Sequence, residues 1–350
     1  MPSTVKAAKP VEIKALSGAR ALPPLVLVLF HFSEGHGYRG WWVLDLVIAR
    51  GYLWVEFFFV LSGFILTHVY GDRVREFWHG KAYPRFLEAR LIRLYPVHFA
   101  MLMVVLAMAW GARLAAHWGG YVSIYDLPYH VILDWKSFVA SLFLVQAWNL
   151  FDFLSWNGVA WFVSVEFLLC LLFPIYLWLA GGRSSFGSVW RGVALIAAGS
   201  VGIGLLLATA KHGLDITYHN GIFRGMSDFA IGVGMAVLYR AAMARKGKSL
   251  PDYVHSLGQA VVVFALFYAL YHSGWGHTRR DFWSLIPIIA LIWVLALNPS
   301  RFFYHAMGGQ QVGVPQENFA GKTVDEIAYG WRDLEQSADQ LARKAKRQSI

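Results

Sequence analysis

Nine long apolar runs, separated by short polar stretches, constrain this chain more than any other feature. They lie near 21–33, 51–70, 94–112, 137–151, 159–180, 192–210, 221–240, 256–274 and 283–298. A helix needs about 20 apolar residues to cross a bilayer, and most of the runs approach that length, while 137–151 is short. Backbone groups in lipid must be satisfied within their own segment, so runs of this composition read as helices. Charged residues make up 15% of the 350 positions, against about 25% in a soluble domain. The net charge of +10 does not point to nucleic acid, because the basic residues fall between the apolar runs, where membrane proteins keep them. Cys170 is the only cysteine, so no intrachain disulfide can form. Lys6, Lys9 and Lys14 precede the first run as in a signal peptide. No small-residue cleavage site follows, so the run reads as a retained span. No internal repeat of a solenoid or transporter kind is visible.

The distribution of Lys and Arg sets the expected orientation. If all nine runs span with the N-terminus inside, 13 basic residues face the cytoplasm and 17 face away. If 137–151 is instead re-entrant or interfacial, the split becomes 23 inside against 7 outside, with Arg224 set aside as a helix-end residue. The positive-inside rule selects the second arrangement. The expected fold is therefore an all-α polytopic membrane protein of about 8–10 transmembrane or re-entrant helices. Both termini are expected in the cytoplasm, with residues 1–15 as a tail and 16–300 as the membrane domain.

Residues 301–350 differ in kind. Apolar density drops after Pro299, and 308–323 reads as a linker. Thr323 and Glu326 make a capping box. Val324, Ile327, Trp331, Leu334, Ala338, Leu341 and Ala345 then follow heptad spacing. An amphipathic helix over 324–347 is expected, packed on its own protein or on lipid, with oligomerisation through it as the other use.

Ionisable groups inside spans are expensive and default to functional candidates. Four positions qualify: His31, Glu56, Glu166, and Arg224 with Asp228. A carboxylate in lipid needs a cation, a donor or a proton. Glu56 beside His31 would satisfy both groups and make a general base, although a neutral core histidine bonded to a carbonyl is as good a reading of His31 alone. Arg20 lies eleven positions before His31. On a straight helix these two share a face and stand roughly 16 Å apart in depth. Arg90 and Arg93, at i and i+3, share a helix face and could clamp a diphosphate. Positive-inside residues at a helix end need no ligand, so taken alone that pair carries no function. Ser62 next to Gly63 lacks the GxSxG context of a nucleophile. Close helix approach at Gly63 and a bond from Ser62 to a carbonyl or a neighbouring helix are expected instead. The remaining histidines show no metal-ligand spacing, and no metal is expected.

Four blocks, in order, resemble the acyltransferase-3 family of bacterial integral-membrane O-acyltransferases. They are Arg20 with His31, "VEFFFVLSGFIL" from Val55 to Leu66, "RLIRLYP" from Arg90 to Pro96, and "WFVSVEF" from Trp161 to Phe167. "FRGMSDFAIGVG" is similar to a later block of the family, and together the matches cover roughly 12–240. Pro23-Pro24 departs from the family pattern, as does the hydrophilic chain after Pro299, where members usually close with a further span. The resemblance implies transfer of an acyl group, acetyl first, from acyl-CoA to a hydroxyl of a cell-surface glycan, a lipid-linked glycan or a similar acceptor. It implies a multi-pass inner-membrane enzyme with acyl-CoA as co-substrate and no bound cofactor. Carried onto this chain, Arg20, Arg90 and Arg93 would engage acyl-CoA and His31 would be the general base. Glu56 would orient His31, and Glu166 would share the cavity as proton acceptor or partner. Ser62, Trp161, Ser164 and Arg224 would line it. Two alternatives remain, a catalytically inactive homologue and a proton-coupled transporter using His31, Glu56 and Glu166 as a relay.

Overall fold

The computed structural model describes residues 13–36, 47–80, 82–123, 133–181, 186–210, 213–217, 219–244, 251–272 and 279–297. Their regular structure is entirely helical. In chain order the helices are α1 (Lys14–Ala19), α2 (Leu22–His36), α3 (Trp54–Tyr70), α4 (Val74–His79), α5 (Ala82–Gly119) and α6 (Trp135–Leu142). They continue as α7 (Trp161–Ala180), α8 (Phe186–Thr209), α9 (Gly221–Ala244), α10 (Asp252–His272) and α11 (Phe282–Leu297). Among the described residues, seven stretches are long and apolar enough to cross a membrane, and α11 is an apolar helix of 16 residues. The chain is an all-α polytopic membrane protein. The expected helix over 324–347 lies outside the described residues.

The first span is not the straight helix that the Arg20–His31 spacing presumes. Helix α1 stops at Ala19, the chain turns through Arg20 and Ala21, and α2 begins at Leu22. Pro23 and Pro24 therefore fall in the first turn of α2, where the missing N–H groups would have had no helical acceptor. The segment expected not to span also has a definite form. Eight residues of α6, started by Asp134 accepting from the Ser137 amide, give way to irregular chain. Leu144, Asn149 and Trp156 in that chain hold left-handed backbone angles.

Helix α9 is the centre of the bundle. Of its most apolar window 72% is buried, against 11% on α5 and 17% on α10, which present their apolar side chains outward. Small residues allow this. A Cβ at Gly63 of α3 would run into the Phe229 carbonyl of α9, and one at Gly232 of α9 into the Val60 carbonyl of α3. On the other side of α9, Gly192 and Gly199 of α8 meet the carbonyls of Gly234 and Ser227. Backbones approach this closely only where side chains are absent. The expected role of Gly63 as a point of close helix approach is what the structure shows.

Helix α5 is longer than the sequence reading made it. Its 38 residues run unbroken from Ala82 past Pro96. At 1.5 Å per residue it measures about 57 Å, well over the ~30 Å of a hydrocarbon core. Arg85, Arg90 and Arg93 lie on its first turns. An aromatic cluster of Tyr70, Phe77, Phe86 and Phe173 joins α3, α4, α5 and α7. The Tyr83 hydroxyl adds a bond to the Leu171 carbonyl at 2.8 Å. These contacts lay the arginine-bearing turns of α5 antiparallel along α7.

Candidate functional site

Two polar clusters sit inside this apolar frame, and α2 runs between them. The first is built on Glu166, in the second turn of α7. Its Oε1 accepts from the Ser62 hydroxyl of α3 at 2.6 Å, and its Oε2 is buried with no hydrogen-bond partner among the described residues. The cationic charges acting on this carboxylate are those of Arg90, Arg20 and Arg93. Arg93 in turn feels Arg90 and Glu166. Three arginines, from the α1–α2 junction and from α5, thus lie within electrostatic reach of one carboxylate of α7. The Arg90 guanidinium also lies over the Phe86 ring, 5.4 Å from its centroid. Ser62 finds its partner on a neighbouring helix, one of the two partners expected for it.

The second cluster is built on Arg224, in the first turn of α9 and wholly buried. Its Nε donates to Glu56 Oε1 at 2.6 Å. Nη1 donates to the Ile216 carbonyl at 2.9 Å and Nη2 to the Tyr52 carbonyl at 2.6 Å. The guanidinium also stands 5.5 Å from the centroid of the Trp161 ring. Charge, hydrogen bonds and a π face meet a cation that lipid alone would not tolerate. Asp228, one turn further along α9, is equally buried, and neither of its oxygens has a hydrogen-bond partner among the described residues. A third carboxylate, that of Asp281, closes the cluster. The Tyr52 hydroxyl donates to Asp281 Oδ1 at 3.1 Å, and the Leu214 amide to Asp281 Oδ2 at 3.0 Å.

Glu56 therefore has a different partner from the one expected. Arg224 holds one oxygen, and no hydrogen bond reaches the other among the described residues. A guanidinium fork satisfies a buried carboxylate better than a neutral imidazole does, because it brings both charge and directed donors. His31 lies on the exposed side of α2, next to the buried Phe30, whose ring is 5.1 Å from the imidazole and 6.2 Å from Tyr52. Phe30 also packs against Gly51, where a Cβ would clash with it. His31 is thus at the level of the turn that leads into Glu56. Arg20 lies at the other end of α2, and its charge reaches Glu166.

Ser164 is an anchor. It donates to the Leu144 carbonyl at 2.8 Å and accepts from the Ala147 amide at 3.2 Å, while its own carbonyl accepts from Trp148 Nε1. These bonds fasten the irregular chain after α6 to α7. Asn149 and Asn220 exchange two hydrogen bonds and tie the same chain to the start of α9. The sequence reading missed Asp281 and Tyr52. A tyrosine four residues before Glu56, and an acid at the mouth of the last apolar run, were the available signals.

The sequence profile of acyltransferase family 3, described as an acyltransferase domain, matches residues 13–306. Over 99 residues, 28% of the chain, the protein is 35% identical to Protein 2 in the picA locus of Rhizobium radiobacter. Over 317 residues, 83% of the chain, it is 22% identical to a Staphylococcus aureus (strain COL) protein named "Putative O-acetyltransferase". Each alignment spans 46% of the relative, so the chain covers about half the length of the curated relatives it matches. No solved structure matches it.

Proposed function

The chain belongs to the acyltransferase-3 family, and from that premise we propose that it moves an acyl group, acetyl in the first instance, from acyl-CoA to a hydroxyl of a cell-surface or lipid-linked glycan. The observation that carries the reading is the convergence of Arg20, Arg90 and Arg93 on the buried Glu166. Cations gathered from separate parts of the chain exceed what a positive-inside helix end requires. They suit a ligand with several negative charges, such as the diphosphate of acyl-CoA. The excess of Lys and Arg on the loops of this end of the bundle supports a cytoplasmic orientation for it, in a bacterial inner membrane, on the side where acyl-CoA is found.

Helix α2 connects that end to His31. In the proposed reaction the acceptor oxygen attacks the thioester carbonyl as His31 takes the hydroxyl proton. The C–S bond then breaks, and the leaving CoA thiolate takes the proton from the imidazolium. Glu56 and Arg224 position the turn at Tyr52 against which Phe30, and so the His31 end of α2, is packed. Trp161 packs on that pair, and Ser164 holds the adjoining chain.

Ester-linked acyl groups on envelope glycans, measured by mass spectrometry, test the proposal. Cells without the gene, with the wild-type chain and with His31→Ala are compared at matched membrane abundance. An ester present only with the wild-type chain is expected. General-base removal costs ~10²–10⁴ in rate, so wild-type ester levels with His31→Ala would remove His31 from the chemistry.

A further inference from the structure

A donor site that gathers three arginines around a carboxylate contains its own competitor. Glu166, ionised, already neutralises part of the charge that an anionic ligand would seek. A phosphate arriving beside it meets a like charge within the same low-dielectric space, which disfavours the ionised carboxyl. We propose that Glu166 is the resident counter-anion of the arginine site and takes up one proton when a diphosphate-bearing ligand binds, with Ser62 as the hydroxyl that serves both protonation states. This inference rests on the acyl-CoA reading for the identity of the natural ligand, but not for the anion site itself.

The geometry suits that role. The Ser62 hydroxyl sits 2.6 Å from Glu166 Oε1 and reaches it from a different helix. A hydroxyl carries one donor and two acceptor sites, so it donates to a carboxylate and accepts from a carboxylic acid without moving. A lysine or an amide N–H in that place could only donate. Glu166 Oε2 is buried and has no hydrogen-bond partner among the described residues, which leaves one oxygen open to a proton. The groups facing the carboxyl are Ser62 from α3, Arg90 and Arg93 from α5, Arg20 from the α1–α2 junction, and Cys170 one turn along its own helix. Among the described residues, no second carboxylate is one of them. Proton uptake on binding therefore falls to Glu166. It keeps the bound site close to neutral, where an ionised Glu166 would add to the ligand's negative charge inside the membrane.

The test is the binding of coenzyme A and of inorganic pyrophosphate, from pH 5.5 to 8.5, to the purified full chain in lipid nanodiscs. Wild type is compared with Glu166→Gln. Because both ligands titrate themselves, the quantity read is the ratio of the two dissociation constants at each pH. If binding takes up a proton on Glu166, the wild-type constant rises relative to that of Glu166→Gln by up to about tenfold per pH unit. The variant then binds more tightly at pH 8.5. Calorimetry of coenzyme A binding to wild type alone is run at the upper end of this pH range, where the ligand's phosphates are already ionised and have no proton to give up. In two buffers of different ionisation enthalpy it counts the protons that the protein takes up, and it needs no variant to fold. A pH-independent ratio with weaker binding by the variant would make Glu166 a scaffold for the arginines and overturn the inference. So would the absence of proton uptake. Pyrophosphate binding that shows the Glu166 dependence, without coenzyme A binding, would keep this inference and remove acyl-CoA as the donor. Binding of neither ligand would overturn both.

Discussion

Glu56 and Arg224, 168 residues apart in sequence and both without solvent exposure, meet at 2.6 Å between the first turns of α3 and α9. Each is the other's means of being in a bilayer. Removing one partner leaves the other as an uncompensated buried charge, which costs about 3–5 kcal/mol. Arg224→Met is expected to unfold the protein in mild detergent well below the wild-type temperature. Glu56→Leu combined with Arg224→Met should recover part of that loss. Thermal unfolding followed by size-exclusion chromatography gives both values, and additive single and double losses would mean that the two side chains act independently.

Arg90→Gln and Arg93→Gln test the donor end separately. Hydrogen bonds to charged groups contribute about 1.5–3 kcal/mol each, so each change should raise the donor KM by roughly tenfold or more with little change in kcat. Steady-state transfer measured against acyl-CoA concentration checks it. A fall in kcat at unchanged KM would place these arginines at the reacting centre.

Ser164→Ala removes one donor and one acceptor from the chain at Leu144 and Ala147. Orphaning buried backbone groups costs about 1–3 kcal/mol. The expected result is faster hydrogen exchange at residues 144–148, with α9 and α3 unchanged. Uniform exchange across the protein would show that the anchor is not local.

Glycine positions give a contrast within one protein. Gly63→Ala and Gly232→Ala put a methyl into a backbone carbonyl, and overpacking of this kind costs about 1–3 kcal/mol. Gly111, within α5, has open space around it. Gly111→Ala is expected to be neutral or to stabilise by up to about 1 kcal/mol through helix propensity. Unfolding temperatures of the three variants decide the matter.

The apolar runs showed the bundle because length and composition alone decide what can cross lipid. The short run at 137–151 showed its exception for the same reason. Ser62 and Gly63 were legible too, since a small polar residue beside glycine in a span has few other uses. The partner of Glu56 was not. Arg224 is distant in sequence, and nothing periodic links the two runs, so the nearer candidate, His31, had the better local claim. The direction of His31 was equally hidden. It depends on where α1 ends and on Phe30 seating against Gly51, and neither follows from an eleven-residue spacing. Asp281 escaped because an acid between basic residues and an apolar run looks like ordinary loop.

The glycine contacts of α9 bear on movement. Carbonyls of α3 and α8 touch α9 where not even a methyl group fits, and the Glu56–Arg224 pair bolts the same assembly at one end. Helices interlocked by their main chains slide past one another only by breaking that fit, so α3, α8 and α9 move as a single slab. Alternating-access transport needs one half of a protein to rock against the other. Here the α3–α8–α9 middle offers no plane of rocking. A block of this kind is a fixed frame, on which Ser62, Glu56 and Arg224 keep a constant spacing.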